Sequence, residues 1–274
     1  MEMMNDKTIN IITSLQNPRI KNIVSLRNRR DREEQSLMIV EDIRCIDRAL
    51  INGVKFTELY HCPELYKEFQ AGALVKKIAK SGAKLFEVDD KVFCKIAYKD
   101  NPEGLLGICS YKNLDLENLP LVKDGLYVIV ETLEKVGNLG NILRTSDAAG
   151  IDGLIICEKK TDIYNPNVIR SSTGAVFSVP IAEATREEVI NWLKKASIKI
   201  LASTPQTDKI YSNVNMTGAI AIALGSEAEG LSKEFLKEAD ELIKIPMKGT
   251  ADSLNVASTA AILLFEATRQ RGFK

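Results

Sequence analysis

The sequence predicts an α/β protein in two parts: a small mixed α/β domain over residues 7–110 and a larger parallel-sheet domain over residues 125–274. Three observations predict it. From Leu126 onward, short apolar strands alternate with amphipathic helices, the pattern of a mainly parallel sheet covered on both faces. Before Ser110 the two periodicities are mixed, and basic residues crowd toward the N-terminal end. Between them, over residues 111–124, Asn113, Asp115, Asn118, Pro120 and Lys123 break any period, so the stretch reads as a linker. A chain of 274 residues, 45% hydrophobic and 27% charged, is long enough for two cores.

In the first part, Leu37–Val40 and Leu105–Cys109 are expected strands because each is a short apolar run, and Ile43–Ile51 has helical spacing. In the second part, strands are expected over Leu126–Val130, Leu154–Cys157, Val176–Ile181, Ile198–Ala202, Ala219–Leu224 and Leu242–Ile245. The helices between them are Leu139–Ala149, Pro166–Ser172, Arg186–Ala196, Ser232–Ala239 and a final Leu254–Arg271. In that last helix Val256, Ala260, Leu263, Leu264 and Ala267 share one stripe, which packs against the domain or against a partner subunit. No internal repeat or low-complexity tract interrupts the series.

Composition excludes several classes. The longest apolar run, Ala260–Phe265, is far short of the roughly 20 residues that span a bilayer, and the polar start Met1–Asp6 has no signal-peptide pattern. A cytoplasmic location is expected. Five cysteines are scattered without a C-x-x-C pair, and His61 is the single histidine, so neither a metal site nor Ser-His-Asp chemistry is supported. His61 and Cys62 are neighbours on an extended segment and point to opposite faces, which favours structural roles. Net charge is zero, yet Ser14–Arg32 carries Arg19, Lys21, Arg27, Arg29, Arg30 and Arg32 against Asp31 alone. Such a cluster is either a phosphate-binding footprint for RNA or a solvated helix face.

The residues that carry chemistry collect at strand ends. After Leu126–Val130 come Asn138-Leu139-Gly140-Asn141-Ile142-Leu143-Arg144; after Ala219–Leu224 come Gly225-Ser226-Glu227-Ala228-Glu229-Gly230; after Leu242–Ile245 come Pro246-Met247-Lys248-Gly249 and then Ser253-Leu254-Asn255. Ligands of parallel sheets bind beyond the carboxyl ends of the strands, so three polar, glycine-bearing loops are expected to converge on one edge. Helix starts and strand ends leave backbone donors and acceptors unpaired for a small molecule. Ser253 could instead simply cap the final helix, and Asn138 the helix that carries Arg144. Glu227 either shapes its loop by accepting backbone N–H bonds or acts on substrate. No acidic-x-G-x-G-x-G loop follows any strand, so the dinucleotide cradle of Rossmann folds is missing.

On these three segments together the chain resembles the SpoU-type RNA ribose 2′-O-methyltransferases of the SPOUT superfamily. The resemblance covers the whole C-terminal half, and the basic stretch with Met38-Ile39-Val40-Glu41 is similar to that family's small L30e-like RNA-binding domain. It implies a C-terminal trefoil knot and S-adenosylmethionine as methyl donor, with Thr204, Leu224, Gly225, Ile245, Met247 and Leu254 lining the donor site and no metal. It also implies catalytic roles for Arg144, Asn138, Glu227, Ser253 and Asn255, and RNA contacts by Arg19, Lys21, Arg27, Arg29, Arg30 and Arg170. Members of the family are homodimers with composite active sites, and Ala257, Ala260 and Ala261 permit close approach in such a dimer or within the chain. A separate N-terminal domain points to ribosomal RNA, with transfer RNA as the alternative. A non-catalytic RNA-binding protein on the same fold and a nucleotide-dependent oxidoreductase are the readings from other classes. The chain departs from the family pattern at Asp42, where a glycine is common, and at Leu133-Glu134, where Asp-Pro is common.

Overall fold

A computed structural model describes residues 10–273. Residues 1–9 and 274, which include the polar start and the first residues of the expected N-terminal domain, lie outside the described residues. The chain forms two compact units, one made of residues up to Lys112 together with Tyr164–Phe177, the other of Asn113–Ile163 and the residues from Ser178 onward. The stretch read as a linker contains a short turn, Leu116–Asn118, and Glu183 N–H donates to the Leu114 carbonyl at 2.8 Å within the second unit.

The first unit runs β1 (Asn10–Ile12), α1 (Pro18–Ser25), α2 (Arg29–Gln35), β2 (Leu37–Glu41), α3 (Ile43–Ile51), β3 (Phe56–His61), α4 (Gln70–Lys80), β4 (Lys84–Val88), α5 (Asp90–Ile96) and β5 (Leu105–Ser110). Its five strands lie in the order β1-β4-β3-β5-β2. Pairs β1–β4 and β3–β4 are parallel, whereas β3–β5 and β2–β5 are antiparallel, which explains why the sequence showed mixed periodicities here. Tyr60, Phe86, Phe93, Ile39 and Ile108 form the core against Ile20 and Ile23 of α1. Asp42, at the position where a glycine is common in the family the sequence resembles, has φ +89°, a conformation that costs any L side chain. Its carboxylate offsets part of that cost by accepting from Arg44 N–H at 3.0 Å as the cap of α3, and by pairing with Lys99 at 3.1 Å.

The second unit runs β6 (Leu126–Glu131), α6 (Val136–Ala149) and β7 (Gly153–Cys157). The chain then passes through α7 (Pro166–Ser171), which belongs to the first unit, before β8 (Ile181–Ala184), α8 (Arg186–Lys195), β9 (Lys199–Ser203), β10 (Ile220–Leu224), α9 (Lys233–Glu238), β11 (Glu241–Ile243) and α10 (Val256–Gln270). Its six strands are ordered β11-β9-β10-β6-β7-β8 and every pair is parallel, so all carboxyl ends share one edge. One face packs Tyr127, Ile129, Ala221 and Ala223 against Val189 and Leu193 of α8 and Phe235 of α9. α6 and α10 pack against each other, and α10 also meets β10.

One expected strand is corrected. Val176–Ile181 does not form: Thr173 and Gly174 take φ +52° and +84°, Ala175–Phe177 closes a 3-10 turn, and the strand starts only at Ile181. Pro180 lacks the N–H a ladder needs, and the buried Ala175-Val176-Phe177 run is apolar because it is core, not because it is extended. The last strand also stops at Ile243, two residues before the expected end.

Candidate active site at the carboxyl edge of the second sheet

The chain order β6, β7, β8 runs one way across the sheet, and β9, β10 and β11 lie on the other side of β6. The topological switch therefore falls between β6 and β10, the place where ligands of parallel sheets bind. Register sets the details. Leu224 pairs with Val130, so Gly225 leaves β10 beside Glu131. Ile243 pairs with Ser203, and Thr204 N–H donates to the Ile243 carbonyl at 3.0 Å, which brings Thr204 beside the segment that follows β11.

Asn138 joins three of these segments. Its Nδ2 donates to Glu227 on the loop after β10, and its Oδ1 accepts from Asn255 Nδ2 at 3.1 Å. Asn255 in turn caps α10, its Oδ1 accepting from Ala257 N–H at 2.9 Å. Both capping expectations are thereby corrected. Ser253 lies two residues before the cap, and Asn138 lies inside α6, which begins at Val136 after Lys135. Free of backbone capping, the buried Asn138 amide can hold two loops with one side chain, one through its donor and one through its acceptor.

Gly225 is required by space. A Cβ there would lie 2.0 Å from the Gly230 carbonyl carbon, because Ser226 and Gly230 exchange backbone hydrogen bonds of 3.2 and 3.0 Å and fold the loop back over it. Glu227 sits exposed at the tip of that loop, while Leu224 is buried at its base. Thr204, Ile245, Met247, Ser253 and Leu254 line one shallow cleft with Asp252 and Thr259. Among the described residues the backbone from Ile245 to Leu254 makes no hydrogen bond to other backbone groups, so its N–H and C=O groups are available to a ligand.

Arg144 is the residue the structure does not bring in. With Gly137, Asn141 and Ala148 it forms the exposed face of α6, whereas Asn138 is on the buried side, and it has no hydrogen bond or ion pair among the described residues. Sequence reasoning also missed Glu131. This carboxylate, 1% exposed, accepts from Arg186 Nε at 2.6 Å and from Ser232 Oγ and N–H at 2.8 Å each, tying β6 to α8 and to the far end of the Glu227 loop. The available signal was a lone acid ending an otherwise apolar strand.

In the first unit, most of the basic cluster is already engaged. Arg19 pairs with Glu58 and lies 4.7 Å over the Phe86 ring. Arg29 pairs with Glu33, and Arg30 with Glu34, each at 2.7 Å. Arg27 donates to the carbonyls of Lys95 and Ala97, and the buried Arg32 donates to those of Leu26 and Arg27. Lys21 is exposed and has no partner among the described residues. Arg170, on α7, donates to Asn167 Oδ1 at 3.0 Å. His61 is buried with Nδ1 3.1 Å from the Tyr66 hydroxyl, and burial lowers its pKa. Among the described residues no three His, Cys, Asp or Glu side chains gather as a metal would require, and no helix is long and apolar enough to cross a membrane.

Residues 125–265 match the SpoU rRNA Methylase family, just over half of the chain. The chain belongs to that family. Residues 17–107 match the MRM3-like substrate binding domain. The fold is similar to the crystal structure of an AdoMet-bound rRNA methyltransferase from Sinorhizobium meliloti, with 32% identity, a TM-score of 0.88, and 95% of this chain and 98% of that one covered. In sequence it is 28% identical to a 23S rRNA (uridine(2479)-2′-O)-methyltransferase of Streptomyces viridochromogenes, over 90% of this chain and 87% of that one. It is 23% identical to the 23S rRNA (guanosine(2553)-2′-O)-methyltransferase RlmP of Bacillus subtilis, over 93% and 97%.

Proposed function

We propose that this protein transfers the methyl group of S-adenosylmethionine to a ribose 2′-hydroxyl of ribosomal RNA. The observation that carries the reading is the Asn138 amide, which binds Glu227 and Asn255 together beside a cleft whose backbone groups are free. The lining of that cleft suits the donor in its chemistry: Leu254, Ile245 and Met247 offer apolar surface to an adenine ring, and the unpaired backbone of the same segment offers hydrogen bonds to its edge. When bound, the donor supplies an electrophilic methyl on a sulfonium, which leaves as a neutral thioether once the 2′-oxygen has attacked.

The work left to the protein is orientation and removal of one proton. Holding two reactants in line supplies on the order of 7–11 kcal/mol, and a general base adds about 10²–10⁴-fold. Asn138, Glu227, Ser253 and Asn255 order the loops that position the ribose. Arg144 grips the phosphate next to the target ribose and acidifies the 2′-hydroxyl through its charge, so that the proton passes to solvent water as the oxygen–methyl bond forms. A guanidinium has a pKa above roughly 12 and no acceptor, so this role suits it better than that of a base.

Because Arg144 faces outward on α6, it serves the site of a second copy, and the working enzyme is a homodimer with composite sites. A trefoil-knotted path for the segments from β10 to α10 goes with this reading, as does action on RNA in the cytoplasm. The first unit supplies the RNA contacts, with Lys21, which is exposed, and Arg170, whose guanidinium is held by Asn167, among the basic groups that take part.

Replacing Arg144 with Lys tests the clamp: turnover falls while cofactor affinity holds, and near-full turnover would remove the bidentate role. Calorimetry separates the broader readings, with S-adenosylmethionine binding expected and NAD binding not; tight NAD binding with no response to the methyl donor would overturn the proposal.

A further inference from the structure

The first unit contains a cleft of about 540 Å³ lined by Arg27, Cys94, Tyr98, Lys99 and Asp100. Its size lies within the roughly 300–1,000 Å³ of ligand pockets. Arg27 is fixed from behind: its Nη2 donates to the Lys95 carbonyl at 2.9 Å and the Ala97 carbonyl at 2.6 Å. The guanidinium carbon lies 6.0 Å from the centroid of the half-buried Tyr98 ring. Its Nη1 makes no hydrogen bond, and its Nε is buried with no partner. The side chain is thus held rigid while keeping donors unused, an arrangement that costs free energy unless something else accepts from them.

Lys99 adds no free charge to the cleft, because its Nζ is held between Asp42 at 3.1 Å and Glu103 at 2.7 Å. What remains is one cation, one carboxylate and one aromatic face. A bare phosphate would meet repulsion from Asp100. A nucleobase that offers acceptors on one side and N–H groups on the next matches both charges and can stack on the ring.

We propose that this cleft holds one unpaired guanine of the RNA substrate, stacked on Tyr98, with O6 accepting from Arg27 Nη1 and with N1–H and N2–H donating to Asp100. An arginine donor on guanine O6 is part of the commonest specific contact to that base, and single-stranded RNA is read by splaying bases onto aromatic rings and guanidinium planes. Adenine places an amino group where Arg27 needs an acceptor, and uracil offers Asp100 a single N–H. The inference rests on the reading that this protein acts on RNA, and it names a recognition site within that reading.

Cys94 provides the direct test. Among the five cysteines it alone is exposed, and burial pushes the thiols of Cys45, Cys62 and Cys157 up to about 12, so an alkylating reagent reports on this cleft. Alkylation of Cys94 in the full-length protein is followed without methyl donor, in the presence of a uridine oligomer carrying one guanosine, the same oligomer carrying adenosine instead, or inorganic phosphate. The guanosine oligomer is expected to protect, and the other two are not. Tyr98→Ala weakens that protection by about 5- to 150-fold, the range expected for one stacked base, while Tyr98→Phe retains it. Equal protection by both oligomers, protection by inorganic phosphate, no protection at all, or an unchanged Tyr98→Ala variant would each overturn the proposal. Methyl transfer is assayed separately. A protein that methylates RNA without protecting Cys94 loses only this cleft, and one that protects without methylating loses only the reading above.

Discussion

The basic stretch of the first unit and the carboxyl edge of the second sheet differ in how sequence clustering relates to available chemistry. Six basic residues crowd between Ser14 and Arg32, yet five of them are held by carboxylates or main-chain carbonyls, Arg27 with one amino group left over, and among the described residues only Lys21 makes no such contact. Asn138, Glu227 and Asn255 are scattered along the chain, yet hydrogen bonds gather them at one point. Local density of charge marks a helix surface and its ion pairs as readily as a binding footprint. Polar residues at the ends of parallel strands mark a site, because the sheet brings those ends to one edge whatever their separation in sequence.

Several measurements would break or sharpen that contrast. Removing the buried anchor of the edge, Glu131→Ala, leaves Arg186 and Ser232 without their acceptor and is expected to cost about 3 kcal/mol in a denaturant titration; a loss under about 1 kcal/mol would show that the Glu227 loop is held by other means. Asn138→Ala should lower methyl transfer by about 100-fold, or about 2.7 kcal/mol in the barrier, with the protein still folded, because two loops lose their common partner. Half or more of the wild-type rate would mean that the bridge is incidental. Gly225→Ala forces the Gly230–Leu231 backbone to move and is expected to weaken S-adenosylmethionine binding by roughly 10-fold in calorimetry.

The first unit offers the smaller effects. Asp42→Gly relieves the left-handed conformation while losing the cap, so it should stay within about 1 kcal/mol of the parent, whereas Asp42→Ala keeps the strain and loses the cap and should be less stable than Asp42→Gly by roughly 1–2 kcal/mol. Thermal melts that rank the two the other way would remove the strain argument. Arg30→Gln, which breaks an exposed pair, should change stability by no more than about 0.5 kcal/mol and should leave RNA affinity nearly as it was. A large loss of RNA binding there would restore the basic stretch as a footprint.

What could be read from the sequence follows the same division. The parallel second sheet was legible because each strand is a short apolar run bounded by polar residues, and the convergence of the Asn138, Glu227 and Asn255 loops was legible because glycine and amides stand at strand ends. The strand expected at Val176–Ile181 failed because burial of Val176 and Phe177 in a turn produces the same apolar run as a strand. The start of α6 was placed three residues late because its cap, Lys135, carries no polar capping signal and Gly137 lies in its first turn. The anchoring of Arg27 could not be recognised, because its acceptors at Lys95 and Ala97 lie 68 and 70 residues away. The outward direction of Arg144 was hidden for a related reason: a motif gives spacing along a helix, and packing decides which face is buried.

The central claim is tested most directly by incubating the protein with ribosomal RNA and S-adenosylmethionine labelled in its methyl group, then hydrolysing the product in alkali. A methyl on the 2′-oxygen stops that oxygen from attacking the neighbouring phosphate, so the account predicts label in alkali-resistant dinucleotides, and little or none with Asn138→Ala. Label released as mononucleotides would place the methyl on a base and contradict it.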